Sequence, residues 1–451
     1  MGADNCMRSE MNLPERILII GAGATGVAVA KFLHGIGKQI ALADEKPESE
    51  LASPLAELGR IPFTGYFGPH RKEDFLSCPM IVLSPGVDTE LPLLKEARRK
   101  GIRIIGEIEL ASGFIKKPII AITGTNGKTT TTTLIGEIFK KAFGDVFVGG
   151  NIGTPFIRYV TEDRKTPHIV LEVSSFQLET IETFRPNTAI LLNITEDHLD
   201  RYRNFNEYKE AKYRIFENQT EGDYALINTN ILPVMKGKPK VLPFSTHQEV
   251  SEGAFARNGN LYVRFGGHEF IYKRELSPLI GIHNTENILT ALLTAHIYGI
   301  EQAITEDVLK TFRGLPHRVE YIRTINGVNF YNDSKATNVD AAKRALESVD
   351  GNIVLIAGGK DKGGSYHAIT EVADKIRALV VIGEAQEKIL RELGGLMTTY
   401  TEKSMEDAVL KAREVARAGD MVLLSPMCSS FDMFKDYKDR GNTFRRIVES
   451  L

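Results

Sequence analysis

The sequence predicts an α/β protein of three domains, each built on a mostly parallel sheet. Short β-branched runs that stop at Gly or Pro recur at residues 17–20, 40–43, 81–83, 119–122, 169–173, 189–192, 353–357, 379–382 and 421–424, with helix-compatible stretches between them. The runs fall into three clusters. The 451 residues, 42% of them hydrophobic, suffice for more than one core. Polar stretches near 105–117 and 311–317 then divide the chain into domains at 1–106, 107–313 and 314–451.

Composition narrows the class. The 56 Lys and Arg nearly balance 58 Asp and Glu, for a net charge of -2, and no block of like charge stands out. The footprint of a nucleic-acid binder is absent, so the expected partners are small molecules and the expected state is a monomer. Cys6, Cys78 and Cys428 are scattered without metal-ligand spacing, which points to reduced thiols. No apolar run approaches the roughly 18 residues that span a bilayer, and residues 1–10 lack the apolar stretch of a leader. A cytoplasmic protein without a membrane partner is expected.

In the first domain, the run at 17–20 enters Gly21-Ala-Gly-Ala-Thr-Gly26, and Asp44 closes the next run. This is the spacing of a Rossmann-like dinucleotide site. The physics requires less than a dinucleotide. A diphosphate fits over the turn and the acid accepts from a ribose hydroxyl, so a UDP group satisfies both as well as NAD does. Ser84-Pro-Gly86 follows the third run, where a second loop can meet the same ligand or simply turn the chain.

The central domain opens with an apolar run at 119–122, then Thr123-Gly-Thr-Asn-Gly-Lys-Thr-Thr130 and a threonine-rich helix. Strand, glycine turn and helix together describe a P-loop-type ATPase domain. Backbone N–H groups face phosphate oxygens, Lys128 reaches the β- and γ-phosphates, and Thr129 can ligate magnesium. The loop is shorter than the standard pattern. Gly124 and Gly127 enclose only Thr125 and Asn126, and Ile122 stands where a first glycine would fall.

Glu172 is a lone carboxylate in the apolar run 169–173, facing a cation at the strand end or else a structural salt bridge. The run at 189–192 leads to His198, a candidate metal ligand or proton carrier that as an isolated histidine has a structural alternative. Tyr208, Ala211, Lys212, Ile215 and Phe216 follow helical spacing and put Lys212 on a core-facing stripe. Such a lysine either pairs or snorkels, or its depressed pKa leaves an amine that adds carbon dioxide and becomes a carboxylate beside magnesium. Residues 240–275 alternate around Asn258-Gly259 and read as an appended hairpin.

In the last domain Arg318 is suited to cross a domain gap and neutralise a γ-phosphate. Polar or glycine-rich turns follow three strand runs, at residues 332–338, 358–364 and 425–437. Three such turns at one kind of strand end favour a pocket for an anionic small substrate, and the domain reads as Rossmann-like.

Taken together, TGTNGKTT (123–130), GGNIG (149–153), EVSSFQLE (172–179), NITEDHLDRY (193–202), AKYRIF (211–216), HNTEN (283–287), LPHRVE (315–320), NDSKATN (332–338) and SPMCSSFDMFKDYKDRGN (425–442) resemble the Mur ligases. The shortened glycine loop is the form that family uses. The resemblance implies ATP at Gly124, Thr125, Asn126, Gly127, Lys128, Thr129, Thr130, Asn287, Arg318 and Asp333. It implies Mg2+ beside Thr129, Glu172, His198 and an N-carboxylated Lys212, and with Lys128 and Arg318 these form the expected catalytic set.

Thr25, Asp44, Ser84, Gly86, Asn151, Ser174 and Gln177 would face the UDP-sugar substrate, UDP-N-acetylmuramoyl-L-alanine, and Lys335, Thr337, Lys362, Ser430 and Tyr437 the incoming D-glutamate. The implied activity is ATP-dependent amide formation through an acyl phosphate, a step of peptidoglycan precursor synthesis. Departures are Glu45-Lys46 in place of a basic pair, Tyr437 where Phe occurs, and Lys360 as a rival to Lys362. A folylpolyglutamate synthetase-like ligase and an NAD-dependent oxidoreductase built on the Gly21 turn are the alternatives.

Overall fold

The computed structural model describes residues 11–162, 166–197, 201–231, 235–349 and 351–451. The first sheet holds β1 (Arg16–Ile20), β2 (Gln39–Asp44), β3 (Thr64–Phe67), β4 (Met80–Leu83) and β5 (Arg103–Gly106) in the order β3-β2-β1-β4-β5. All its pairings are parallel. Residues 17–20 are buried because helices cover both faces, which is why β1 reads as a continuous apolar run. The sheet presents Gly21 and Ser84 side by side at its carboxyl edge.

The central sheet comprises β6 (Ile119–Thr123), β7 (Phe147–Gly150), β8 (Ile169–Glu172), β9 (Thr188–Leu191), β10 (Tyr224–Asn228), β11 (Lys240–Ser245), β12 (Gly253–Arg257), β13 (Asn260–Phe265) and β14 (His268–Lys273). Its order is β14-β13-β12-β11-β10-β9-β6-β8-β7. Strands β7 to β12 pair parallel, and β13 and β14 add antiparallel. Asn258 (φ 51°) and Gly259 (φ 73°) make the hairpin turn expected of an Asn-Gly pair. That hairpin continues the main sheet through β11 and β12. In the centre, Ile122 lies opposite Glu172 and Thr123 opposite Leu191, so three strand ends share one edge.

The third sheet contains β15 (Glu320–Ile325), β16 (Val328–Asn332), β17 (Ile353–Gly358), β18 (Ile376–Ile382), β19 (Thr398–Thr401) and β20 (Met421–Leu424), in the order β15-β16-β20-β17-β18-β19. Only the β15–β16 pair is antiparallel. Asn332, Ile356 and Leu424 are in register, so the loops after β16, β17 and β20 emerge together.

The helix Glu107–Ser112 follows the first sheet and is tied into the second by buried carboxylates. Glu109 is fully buried and accepts backbone N–H bonds from Glu182, Thr183 and Phe184 at 2.8–2.9 Å. Glu107 accepts from Ile157 N at 2.6 Å, and its burial raises its pKa to about 7. Cys78 and Cys428 are buried free thiols, and Cys6 lies outside the described residues. Among the described residues no helix is long and apolar enough to cross a membrane.

Candidate active site

Thr123 ends β6, and the chain turns through Gly124 (φ 153°) and Gly127 (φ 85°) into the helix Lys128–Phe143. At Gly127 a Cβ would lie 2.4 Å from Asn287 Oδ1, so glycine is demanded by the approach of the helix Ile282–Ile297 as well as by φ. Asn287 Oδ1 accepts from Thr131 Oγ1 at 3.0 Å. The turn is braced by Thr125 N to Asn193 O at 3.0 Å and Asn126 N to Asn193 Oδ1 at 2.8 Å. Lys128 Nζ folds back onto the carbonyls of Gly124 (2.8 Å) and Thr125 (2.9 Å), and burial depresses its pKa.

Lys212 meets the same carbonyl from the other side. It lies on the helix Phe205–Tyr213, is only 1% exposed, and donates to Gly124 O at 2.9 Å with its Nζ 4.6 Å from the Tyr208 ring centroid. Burial first, and repulsion from Lys128 second, push its pKa well below the ordinary lysine value, against the pull of Asp197 and Glu172. The core-facing stripe read from the sequence is therefore real.

Glu172 is 2% exposed. Asn151 Nδ2 donates to its Oε1 at 2.8 Å, while its Oε2 is buried with no hydrogen-bond partner among the described residues. A buried, unpartnered carboxylate oxygen that feels the charges of Lys128, Lys212 and Arg318 is a hard donor of the kind a divalent cation takes. His198 lies outside the described residues.

Arg318 crosses from the third domain, its Nη2 donating to Thr129 Oγ1 at 2.7 Å. Its neighbours His317 (φ 65°) and Val319 (φ 46°) both take left-handed conformations. A β-branched residue there is strained, and the surroundings hold it: Val319 N donates to Asp333 Oδ1 at 3.2 Å and His317 N to Glu320 Oε2 at 3.0 Å. Asp333 also accepts from Ser425 Oγ at 2.8 Å, and burial lifts its pKa to about 7.

Further bridges join the two domains. Asp340 Oδ2 accepts from Asn126 Nδ2 at 2.6 Å and from Thr195 Oγ1 at 3.0 Å, and Asn338 Nδ2 donates to Asp197 Oδ2 at 3.1 Å. Between the domains lies a cleft that collects Asn126, Gly127, Thr130, Asn287, Arg318, Asp333 and Lys335. His283, Asn284 and Arg344 line it too, and sequence reasoning singled out none of them. Burial pushes His283 down to about pKa 4, so it is neutral at neutral pH. The signal for it was present, since His283 and Asn284 open the segment 283–287 whose last residue is Asn287. Asp340 had no such signal, because its role depends on how two domains meet.

Thr25 sits in the first turn of the helix Ala24–Gly35, over the first glycine turn. Asp44 Oδ2 accepts from Ala22 N at 2.7 Å and its Oδ1 from Lys46 N at 3.0 Å, so the acid shapes the turn. Ser84 Oγ donates to Gly21 O at 3.0 Å, and Gly86 is exposed on the neighbouring loop. Ser174 and Gln177 cap the short helix Ser175–Leu178 reciprocally, with Ser174 N to Gln177 Oε1 at 3.0 Å and Gln177 N to Ser174 Oγ at 3.3 Å.

In the third domain Lys335 Nζ stands 3.9 Å from the Tyr437 ring centroid, and burial lowers its pKa to about 8. Thr337 is half-buried, Ser430 is buried, and Lys362 and Lys360 are both exposed. The Lys360 backbone is fixed by donation to Ser429 O at 2.9 Å.

Family profiles match three stretches of the chain: the Mur ligase MurD-like N-terminal domain at 15–106, the Mur ligase middle domain at 122–295 and the Mur ligase glutamate ligase domain at 317–428. A UDP-N-acetylmuramoylalanine--D-glutamate ligase of Geotalea daltonii is 47% identical over 97% of this chain and 98% of its own length. The enzyme of the same name from Caldanaerobacter subterraneus is 43% identical over 98% of this chain and all of its own length. Among solved structures, the UDP-N-acetylmuramate-alanine ligase MurC of Thermotoga maritima aligns with TM-score 0.58 at 20% identity, over 96% of this chain and 99% of that one. A pseudomurein peptide ligase type C from Methanothermus fervidus aligns with TM-score 0.60 at 19% identity, over 97% and 100%. At such identities these two structures speak for the shared fold.

Proposed function

The chain belongs to the Mur ligase family, and from that premise we propose that it joins D-glutamate to UDP-N-acetylmuramoyl-L-alanine with conversion of ATP to ADP and phosphate, a cytoplasmic step of peptidoglycan precursor synthesis. One observation supports this reading most directly. The phosphate-gripping turn opens onto a cleft that Arg318 spans from the domain carrying the acceptor-type loops.

The alanyl carboxylate attacks the γ-phosphorus, the bond to the β–γ bridging oxygen breaks, and ADP leaves an acyl phosphate behind. Lys128 exchanges the Gly124 and Thr125 carbonyls for phosphate oxygens, and Arg318 offsets the charge that builds on the transferring group. Glu172 and Thr129 would hold Mg2+, with His198 and Lys212 beside them. The bound ion supplies further charge neutralisation. The depressed pKa of Lys212 favours the neutral amine, the form that takes up carbon dioxide with loss of a proton and turns a buried donor into a carboxylate.

Thr25, Asp44, Ser84 and Gly86 border the UDP-sugar site. Asn151 orients Glu172 near its reactive end, and Ser174 and Gln177 hold the adjacent backbone through their cap. Asn287 and Asp333 line the ATP cleft, while Lys335, Thr337, Lys362, Ser430 and Tyr437 receive D-glutamate. Its amine, losing a proton with help from His198, attacks the acyl carbon, and phosphate departs to leave the amide. Closure of the cleft keeps water from the acyl phosphate.

With ATP, UDP-N-acetylmuramoyl-L-alanine and hydroxylamine in place of the acceptor, the enzyme should yield a hydroxamate. Normal amide formation with no hydroxamate would rule out the acyl-phosphate route.

A further inference from the structure

Arg440 is 1% exposed, and its guanidinium donates to neutral oxygens. It lies in the first turn of the helix Tyr437–Ser450, next to Gly441, where a Cβ would come within 2.2 Å of His317 Nδ1. Its guanidinium makes four hydrogen bonds. Nε donates to Ser334 Oγ at 3.0 Å, Nη2 to Ser334 O at 2.8 Å and to Cys428 O at 3.1 Å, and Nη1 to Ser429 O at 3.2 Å. At Gly359 (φ 132°) a Cβ would stand 3.0 Å from Arg440 Nη1, so the loop after β17 leaves room for the fork. One side chain therefore binds or abuts all three strand-end loops.

Two of the partners, Ser334 and Ser429, each neighbour a residue of the acceptor pocket. Ser334 precedes Lys335, and Ser334 Oγ also donates to the carbonyl of Tyr437 at 2.8 Å. Ser429 precedes Ser430 and pairs with the backbone of Lys360. Burying a guanidinium against one hydroxyl and three carbonyl contacts is costly, and a planar group with several donors in fixed directions is suited to meet these acceptors together. A lysine ammonium presents its three donors from a single point.

We propose that Arg440 is a positioning residue whose fork sets Lys335, Ser430 and Tyr437 relative to one another and thereby determines affinity for the incoming amino acid. The inference rests on D-glutamate binding in that pocket. It adds a residue that touches no substrate, acting through Ser334 and the Cys428–Ser429 backbone.

The test is steady-state kinetics of Arg440→Lys and Ser334→Ala with each substrate varied in turn, after circular dichroism and thermal melting have established that the variants fold. Arg440→Lys should raise the KM for D-glutamate about tenfold or more while the KM values for ATP and the UDP-substrate stay within about twofold. Ser334→Ala should shift the same constant in the same direction by less. Folded variants with unchanged KM for D-glutamate, or with all three KM values and kcat moving together, would overturn the proposal. If Arg440→Lys does not fold, Ser334→Ala decides alone. Wild-type enzyme that makes no product with D-glutamate overturns the acceptor assignment and this inference with it; normal wild-type turnover with unshifted variants overturns this inference only.

Discussion

Lys212 shows how one residue's chemistry follows from its place. A lysine on an apolar stripe, touching Gly124 O and facing Lys128, is held where the ammonium form is disfavoured. If a carboxylated Lys212 serves the cation beside Glu172, Lys212→Ala should lower turnover by about 100-fold, with partial recovery on adding short-chain carboxylic acids. Full activity without rescue would refute the role. Lys335 makes a pH prediction. Burial lowers its pKa from 10.5 to about 8, so its cation is present below that pH and lost above it, and the proposed contact with the acceptor carboxylate goes with it. The KM for D-glutamate should be flat up to about pH 8 and then climb by about tenfold per unit, whereas a constant KM to pH 10 would separate Lys335 from acceptor binding.

At the scale of elements, the glycine turn is the piece most constrained. Gly127→Ala combines a left-handed backbone with a collision against Asn287 Oδ1. It should reduce ATP-dependent turnover by about 100-fold while the protein stays folded. Wild-type turnover in this variant would show that the turn does not hold the phosphates. This strand, turn and helix were legible in the sequence because local composition decides them. So was the Lys212 stripe, since periodicity survives in one dimension. Two edge strands were not: β3 contains Gly65 and is half-exposed, and β19 is a short Thr-rich edge, so neither forms an apolar run. The Ser174–Gln177 cap is readable as Ser-x-x-Gln, a local signature. Nothing in the letters around Val319 predicts a left-handed valine, because the constraint comes from Asp333 across the loop.

At the scale of the molecule, the central and third sheets bring strand-end loops to one cleft, and that cleft exists only where the two domains meet. Asp340 accepts from Asn126 inside the central glycine turn, so the third domain docks on that turn itself. That contact links sequence positions far apart and could not be read locally. The two glycine turns together argue against the alternatives. An oxidoreductase would leave the central turn without a use, and a folylpolyglutamate synthetase-like ligase would leave the first glycine turn and Asp44 without one. The central claim is that this chain transfers D-glutamate to UDP-N-acetylmuramoyl-L-alanine. It is tested most directly by measuring phosphate release from ATP with that UDP-substrate in the presence of D-glutamate, L-lysine, meso-diaminopimelate or L-alanine. The account predicts stoichiometric release with D-glutamate alone; release driven by any other acceptor, or none with D-glutamate, would contradict it.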